Sequence, residues 1–247
     1  ILCGACGHMG KNVAEVAAER GVTIAAGVDI APAAAAFPVY ASVADVKESA
    51  DAVIDFSAPA ALADVLAFCE THNLPVILAT TGYSEADGVC IRNAAEHIPV
   101  FRTGNLSLGV NLLQLLAKKA AQILGDAFDA EIIERHHHFK KDAPSGTALM
   151  LAKSVNEGFG GDKENVYGRH GMVLARSQKE IGIHAVRGGT IVGEHEVMFA
   201  GEDEIITLSH SARSRKIFAA GALKAAAWLT TVPPGLYDMS DLLGSIL

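Results

Sequence analysis

The sequence predicts an α/β protein of two domains, a doubly wound parallel sheet followed by an α+β domain built on a mixed or antiparallel sheet. Three observations predict it. Short β-branched runs alternate with longer Ala-rich segments over the first hundred residues. A glycine-rich turn stands at the first strand-to-helix junction, and the rhythm changes after about residue 108, where one long helix leads into a series of strand runs.

The first strand leads into "GACGHMGKN", and "VTIAAGVD" (22–29), "DAVIDFS" (51–57), "PVILATT" (75–81) and "PVFRTG" (99–104) follow as further strands. Each is a continuous apolar run of the kind buried on both faces of a parallel sheet. Between them "GKNVAEVAAERG", "PAALADVLAFCETHN" and "SEADGVCIRNAAEH" have helical spacing, with Pro and Ser at plausible starts. In the second half a helix, "GVNLLQLLAKKAAQILG", precedes the strand "AEIIERHHH", and a second helix, "TALMLAKSVNEG", follows. Three runs, "IGIHAVRGG", "TIVGEHEVMFAG" and "DEIITLSHSA", look antiparallel to one another across Gly-rich or acidic turns. The apolar helix "RKIFAAGALKAAAWLTT" returns to the first domain. The expected division is residues 1–107 with 217–247 as a dinucleotide-binding domain, and 108–216 as a substrate-binding and oligomerisation domain.

Half of the 247 residues are apolar and 19% are charged, enough material for a packed core. The net charge of −8 argues against general affinity for nucleic acid or anionic lipid, both of which need a basic surface. No apolar run approaches the length of a membrane span and no leader pattern is visible, although the chain starts at Ile1 without a methionine. Four cysteines do not look like a disulfide framework and point to a reducing, cytoplasmic setting. Cys3 and Cys6 form a C-x-x-C pair, but inside a glycine turn without the aromatic flank of a thiol-redox site.

The glycines of the turn, Gly4, Gly7 and Gly10, have G-x-x-G-x-x-G spacing; the strict dinucleotide fingerprint has glycine where Ala5 stands. Asp29, at the end of the next strand, lies about where an acidic side chain meets a ribose 2′-hydroxyl. Together they predict a Rossmann-type site that binds NADH and/or NADPH. A carboxylate at 29 repels a 2′-phosphate and Ile30 offers no compensating charge, so NADH is expected to serve at least as well as NADPH, with His8 and Lys11 leaving some room for the phosphate.

The richest stretch is Glu134–Thr147, "ERHHHFKKDAPSGT". Pro144 ends extended chain, Ser145 is a good N-cap, and Gly146 and Thr147 open a helix whose first N–H groups favour an anion. Lys140 adds a full positive charge, so a small carboxylate is the natural guest. Taken by itself, the same stretch also reads as a well-capped helix beside a solvated lysine loop. If the three histidines were extended, His136 and His138 would share a face and His137 the other, too few first ligands for a metal from this run. A histidine beside lysines and a dicarboxylate pocket is better used as a proton donor.

This stretch resembles the signature of the 4-hydroxy-tetrahydrodipicolinate (dihydrodipicolinate) reductase family, E-x-H-H-x-x-K-x-D-x-P-S-G-T-A. The likeness extends to "HMG", the "DFS-P" strand end, "TTG" at 80–82, "GNLSLGVN" at 104–111, "IVGEHEV", "SHSARSR" and "FAAGALKAAAWL". The resemblance implies hydride transfer from a reduced nicotinamide to C4 of a cyclic imine-containing dicarboxylate, with loss of water from the 4-hydroxy substrate, in lysine and diaminopimelate biosynthesis. It implies His136 as general acid and Lys140 as the lysine that works with it, with His137, Ser145, Gly146 and Thr147 beside the substrate. On the cofactor side it implies Gly4, Ala5, Cys6, Gly7, His8 and Met9 at the turn, Asp29 on the adenosine ribose, Ala79, Thr80 and Thr81 by the nicotinamide ribose, and Thr103, Gly104, Asn105 and Leu106 on the loop into the second domain. Ala79 departs from the family's glycine, and His8 stands where arginine is common. Family members assemble as tetramers through the second domain's sheet, so a homotetramer is expected, with hinges near 104–108 and 213–217. Another nicotinamide enzyme acting on a small amino- or keto-acid explains the first domain but has no need for the His-His-x-x-Lys and Pro-Ser-Gly-Thr pairing. A dinucleotide-binding redox sensor lacks a basic recognition element, and a zinc hydrolase leaves the glycine turn unused.

Overall fold

The computed structural model describes residues 1–172 and 175–246. It divides into two units, one of residues 1–108 and 215–247 and one of residues 109–214.

In chain order, the first unit begins with strand β1 (Leu2–Cys3), helix α1 (His8–Glu19), β2 (Gly27–Val28), β3 (Val39–Tyr40) and β4 (Val53–Asp55). It continues with α2 (Leu62–His72), β5 (Val76–Leu78), α3 (Glu85–Ala94) and β6 (Pro99–Arg102). Helix α4 (Leu108–Leu124) leads into the second unit, which holds β7 (Asp129–His136), α5 (Gly146–Phe159), β8 (Glu164–Tyr167), β9 (Glu180–Arg187), β10 (Gly193–Ala200) and β11 (Ile205–Ala212). The chain returns through α6 (Lys216–Leu229), β12 (Gly235–Tyr237) and α7 (Met239–Gly244).

The first unit is a seven-stranded sheet, order β12-β6-β5-β4-β1-β2-β3, with every pair parallel. β4 and β5 are buried at every residue, as the apolar Val53–Ile54 and Val76–Leu78 require, and Asp55 at the end of β4 is buried with them. One face packs Val13, Val16 and Ala17 of α1 against Ala219, Ala222 and Leu229 of α6. The other packs Val65, Leu66 and Cys69 of α2 with Ile91 and Ala94 of α3. Strand order reverses between β1 and β4, so the loops after these strands diverge and leave a crevice at their carboxyl ends. The run 22–29 forms a ladder only at Gly27–Val28. β3, β8, β12 and the six-residue α7 are additions to the elements expected from sequence.

The second unit has a five-stranded mixed sheet, order β11-β10-β7-β9-β8. The runs 181–189, 190–201 and 203–212 alternate in direction as expected, but only β10 and β11 pair with each other. β9 lies parallel to β7, and β7 stands between β9 and β10. The Gly188–Gly189 turn does not close a hairpin because it straddles the end of β7, where the amides of His137 and His138 donate to Ile191 O (2.8 Å) and Gly189 O (3.3 Å). β7 alternates half-buried and buried residues, which sends Ala130, Ile132, Glu134 and His136 inward. Ile132, Val197 and Phe199 are fully buried there with Leu151 and Val155 of α5 and Ala117 and Ala121 of α4. Each large side chain so buried contributes about 1.5–3 kcal/mol.

Candidate active site

In the first unit the turn from β1 to α1 is shaped by three glycines. Gly4 has φ +74°, and a Cβ there would stand 2.5 Å from Phe56 O. A Cβ on Gly10 would run into the carbonyls of Gly4 and Ala5, so glycine lets α1 start directly over the turn. Gly7 is the N-cap and no side chain caps this helix, which leaves its N-terminus open toward an anion. Ala5 is buried and packs inward, Cys6 and Met9 are half-buried, and His8 is exposed with Asn12 beside it at 3.3 Å. Asp29 follows β2 and its two oxygens accept from the amides of Cys6 (2.9 Å) and Ala31 (3.1 Å). The carboxylate therefore belongs to the turn itself. Beside it is a cavity of about 550 Å³ lined by Gly4, Gly7, Asp29, Phe56, Ser57 and Asp64 among others. A glycine turn at the strand reversal, an uncapped helix start and an acidic group at the end of β2 fit a dinucleotide. Cys3 is buried, its thiol pushed up to about 12 by burial and then by Asp55, which suits a packing residue and not a redox one.

Ala79, Thr80 and Thr81 follow β5, and Thr103 to Leu106 follow β6, at the same carboxyl edge of the sheet as the glycine turn. Sequence reasoning gave no role to Asp55, which organises this edge. It is fully buried; Oδ1 accepts from Ser57 N (3.0 Å) and Oγ (2.5 Å), and Oδ2 from Thr80 Oγ1 (3.1 Å) and Tyr83 OH (3.2 Å). Thr103 Oγ1 donates to Asn105 O (3.2 Å), Asn105 Oδ1 accepts from Ser107 N (2.8 Å), and Leu106 is buried under Gly221 of α6.

In the second unit β7 delivers its last two inward residues, Glu134 and His136, to the start of α5. Glu134 is fully buried, at 0% exposure. Its Oε2 lies 2.5 Å from His136 Nδ1, its Oε1 accepts from Ser145 N at 2.9 Å, and Arg187 of β9 grips both oxygens at 2.8 and 2.7 Å. Burial raises the Glu134 carboxyl, but the hydrogen bonds from Arg187, His136 and Ser145 outweigh it and hold the group below the usual range. Burial also lowers His136, and the nearby carboxylate only partly offsets this. His136 Nε2 faces Gly193 of β10, where a Cβ would come within 3.0 Å, so glycine keeps the space beside that nitrogen open.

Ser145 caps α5 by accepting from Ala148 N (3.2 Å), and its Oγ also meets His195 Nε2 at 3.0 Å. Burial, followed by the charge of His136, pushes His195 down to about 4, so it is neutral near pH 7. Gly146 and Thr147 form the first turn of α5. Lys140 is half-buried and its Nζ pairs with Asp142 Oδ1 at 2.9 Å. The strand ends at His136, so His138 is exposed in the following turn and does not share its face; His137 is half-buried. The structure thus gathers His136, Ser145, Gly146 and Thr147 around one corner. It adds Glu134, Arg187, Gly193 and His195, which sequence reasoning left without roles. The available signal was periodicity: two polar residues on the inward face of a strand need partners, and Glu134 and His136 share that face.

A model described as the N-terminus of dihydrodipicolinate reductase matches residues 1–106, and one described as its C-terminus matches 109–243. A protein of Caldanaerobacter subterraneus subsp. tengcongensis named 4-hydroxy-tetrahydrodipicolinate reductase is 51% identical over 243 residues, 98% of this chain and 96% of that protein. One of the same name from Zymomonas mobilis is 44% identical over 245 residues, covering 98% and 96%. A solved structure described as dipicolinate-bound dihydrodipicolinate reductase, from Paenisporosarcina sp. TG-14, shares the fold with a TM-score of 0.79 at 24% identity over 96% of each chain. Models for both halves and close relatives over nearly full length agree: the chain belongs to the dihydrodipicolinate reductase family.

Proposed function

We propose that this chain is the NAD(P)H-dependent enzyme that reduces 4-hydroxy-tetrahydrodipicolinate to tetrahydrodipicolinate in lysine and diaminopimelate biosynthesis. One observation carries the reading: a single buried carboxylate, Glu134, holds both an imidazole and the capped start of a helix suited to an anion. A dicarboxylate heterocycle needs both, a proton donor beside its ring and a cradle for its charge.

When bound, the reduced nicotinamide supplies the hydride that the ring receives at C4. The residues of this chain do the rest. The first turn of α5, with Gly146 and Thr147, and the ammonium of Lys140 hold the carboxylates. Ser145, with its Oγ between Ala148 N and His195, fixes that turn. His136 donates from Nε2 the proton that quenches the electron pair displaced through the conjugated C=C–C=N system. Burial lowers the imidazole even with Glu134 beside it, and the charge of a bound dianion acts in the opposite direction, favouring the protonated ring. His137 stands beside the substrate ring.

The dinucleotide is held by Gly4 to Met9, by Asp29 on the adenosine ribose, and by the loops at Ala79 to Thr81 and Thr103 to Leu106. NADH serves at least as well as NADPH, supported by the Asp29 carboxylate and by Ile30, which is 98% exposed and carries no charge. We also propose a homotetramer assembled through the mixed sheet, whose edge strand β11 exposes Ile205. The compartment is the cytoplasm, where the free cysteines fit a reducing setting; among the described residues no helix is long and apolar enough to cross a membrane.

The test is a coupled assay in which substrate is generated in situ from pyruvate and aspartate semialdehyde and oxidation of the nicotinamide is followed by absorbance. Oxidation that depends on the substrate supports the reading, and its absence with both NADH and NADPH contradicts it.

A further inference from the structure

The Glu134 carboxylate is saturated. Oε1 takes Ser145 N–H and one arm of Arg187, and Oε2 takes His136 and the other arm, four donors for about four lone-pair sites. It has no exposed surface and no capacity left for substrate or for proton transfer to solvent. Whatever it does for the reaction, it does through the groups it holds.

Those groups are the ones the chemistry needs in register. A carboxylate at Nδ1 makes that nitrogen the one that carries the proton in the neutral ring, so Nε2 faces the opening kept by Gly193 and bears a proton only in the imidazolium form. The bond to Ser145 N fixes the N-cap of α5 on the same carboxylate. Arg187 extends the arrangement: its Nη2 also donates to Asp142 O at 2.6 Å, and the Asp142 side chain pairs with Lys140 at 2.9 Å. One ion pair, its carboxylate buried and its guanidinium half-buried, thereby indexes the acid, the helix cap and the lysine loop. The geometry is bidentate and planar, which an arginine fork supplies and a lysine does not.

We propose that Glu134 is a positioning residue for this reaction, and that with Arg187 it sets the tautomer and direction of His136 and ties the start of α5 to the acid. The proposal rests on the reading of His136 as general acid. The charged and titratable groups facing His136 are Glu134 on its own strand, Arg187 on β9, Lys140 in the following loop, and His195 on β10, whose ring lies 5.1 Å away edge-on. Only Glu134 among them favours the imidazolium.

The experiment compares the wild type with Glu134→Gln and Arg187→Lys. The readouts are 15N spectra of histidine-labelled protein, with the His136 signals identified through His136→Gln, and kcat and KM across pH. The dinucleotide Kd serves as a check that the first unit is intact. We expect the Nδ1–H tautomer at His136 in the wild type and its loss in Glu134→Gln. We expect kcat of that variant to fall on the order of 100-fold, with dinucleotide Kd nearly unchanged. Activity that needs an imidazolium is lost as pH rises through the imidazole pKa; without the carboxylate that limb should move to lower pH by about one unit. Arg187→Lys should lower kcat in the same direction at roughly a tenth of that loss, with the pH limb little moved because the positive charge is kept. If Glu134→Gln does not fold, the wild-type tautomer and Arg187→Lys decide. A His136 tautomer other than Nδ1–H in the wild type overturns the proposal, as does a Glu134→Gln variant with unchanged tautomer and pH limb. Failure of the functional reading appears differently, as a wild type without reductase activity, and leaves the spectra to decide the hold of Glu134 on His136.

Discussion

In the first unit the ligand surface between β1 and α1 is almost entirely backbone: a glycine at φ +74°, an uncapped helix start, and an aspartate whose oxygens are already taken by two main-chain amides. In the second unit the corner between β7 and α5 is made of side chains: a buried glutamate gripped by a half-buried arginine, two inward histidines and a serine cap in mutual hydrogen bonds. Both corners can hold an anion. The first does so by leaving room for the ligand's approach, and the second by fixing charges at set positions. The difference teaches where each is vulnerable. Adding an atom should damage the first, whereas removing a charge or a proton should damage the second.

The largest effect is expected at the side-chain corner. His136→Gln should lower kcat by about 10²–10³-fold with KM little changed, because the acid acts in the transition state. Lys140→Ala should damage kcat and KM together, each by about tenfold or more. Steady-state kinetics separates the two patterns, and an unchanged kcat in His136→Gln would break the assignment of the acid. Next comes Gly4→Ala at the backbone corner. Its Cβ would stand 2.5 Å from Phe56 O in a conformation that disfavours side chains. The dinucleotide Kd should rise at least about tenfold, and stability should fall by roughly 1–3 kcal/mol in a denaturant titration. The smallest effect should be that of Asp29→Asn, which keeps the shape and removes the charge. The ratio of NADPH to NADH efficiency should rise by about five- to tenfold, and a ratio that does not move would show that Asp29 serves only the turn.

How much of this was legible in the sequence depends on the range of the interactions involved. Helix α5 was readable almost to its ends: Ser145 marks the start by capping, and the run read as helix, 147–158, stops one residue short of Phe159, where Gly160 ends the helix at φ +104°. The glycine turn was readable because its requirement is steric and confined to a few residues. The place of β9 was not: the Gly188–Gly189 turn looks like a hairpin, and only pairing on both sides of β7 decides that the strand crosses over. β3 and β12 have two or three paired residues, too few for a periodic pattern. His136 and Lys140 carried a family signature, but Arg187 lies 53 residues from Glu134 and nothing near it in the chain announces the partner. Glu134 itself gave a hint, a charge on the inward face of an apolar strand, which requires compensation from somewhere in the fold.

The central claim is that the corner between β7 and α5 receives a dicarboxylate. A crystal structure of the chain with dinucleotide and a dicarboxylate analogue of the substrate tests it most directly. The account predicts one carboxylate at the amides of Gly146 and Thr147 with Lys140 alongside, and the ring against His136 Nε2. A dicarboxylate bound away from the first turn of α5, with His136 facing no ligand atom, would contradict it.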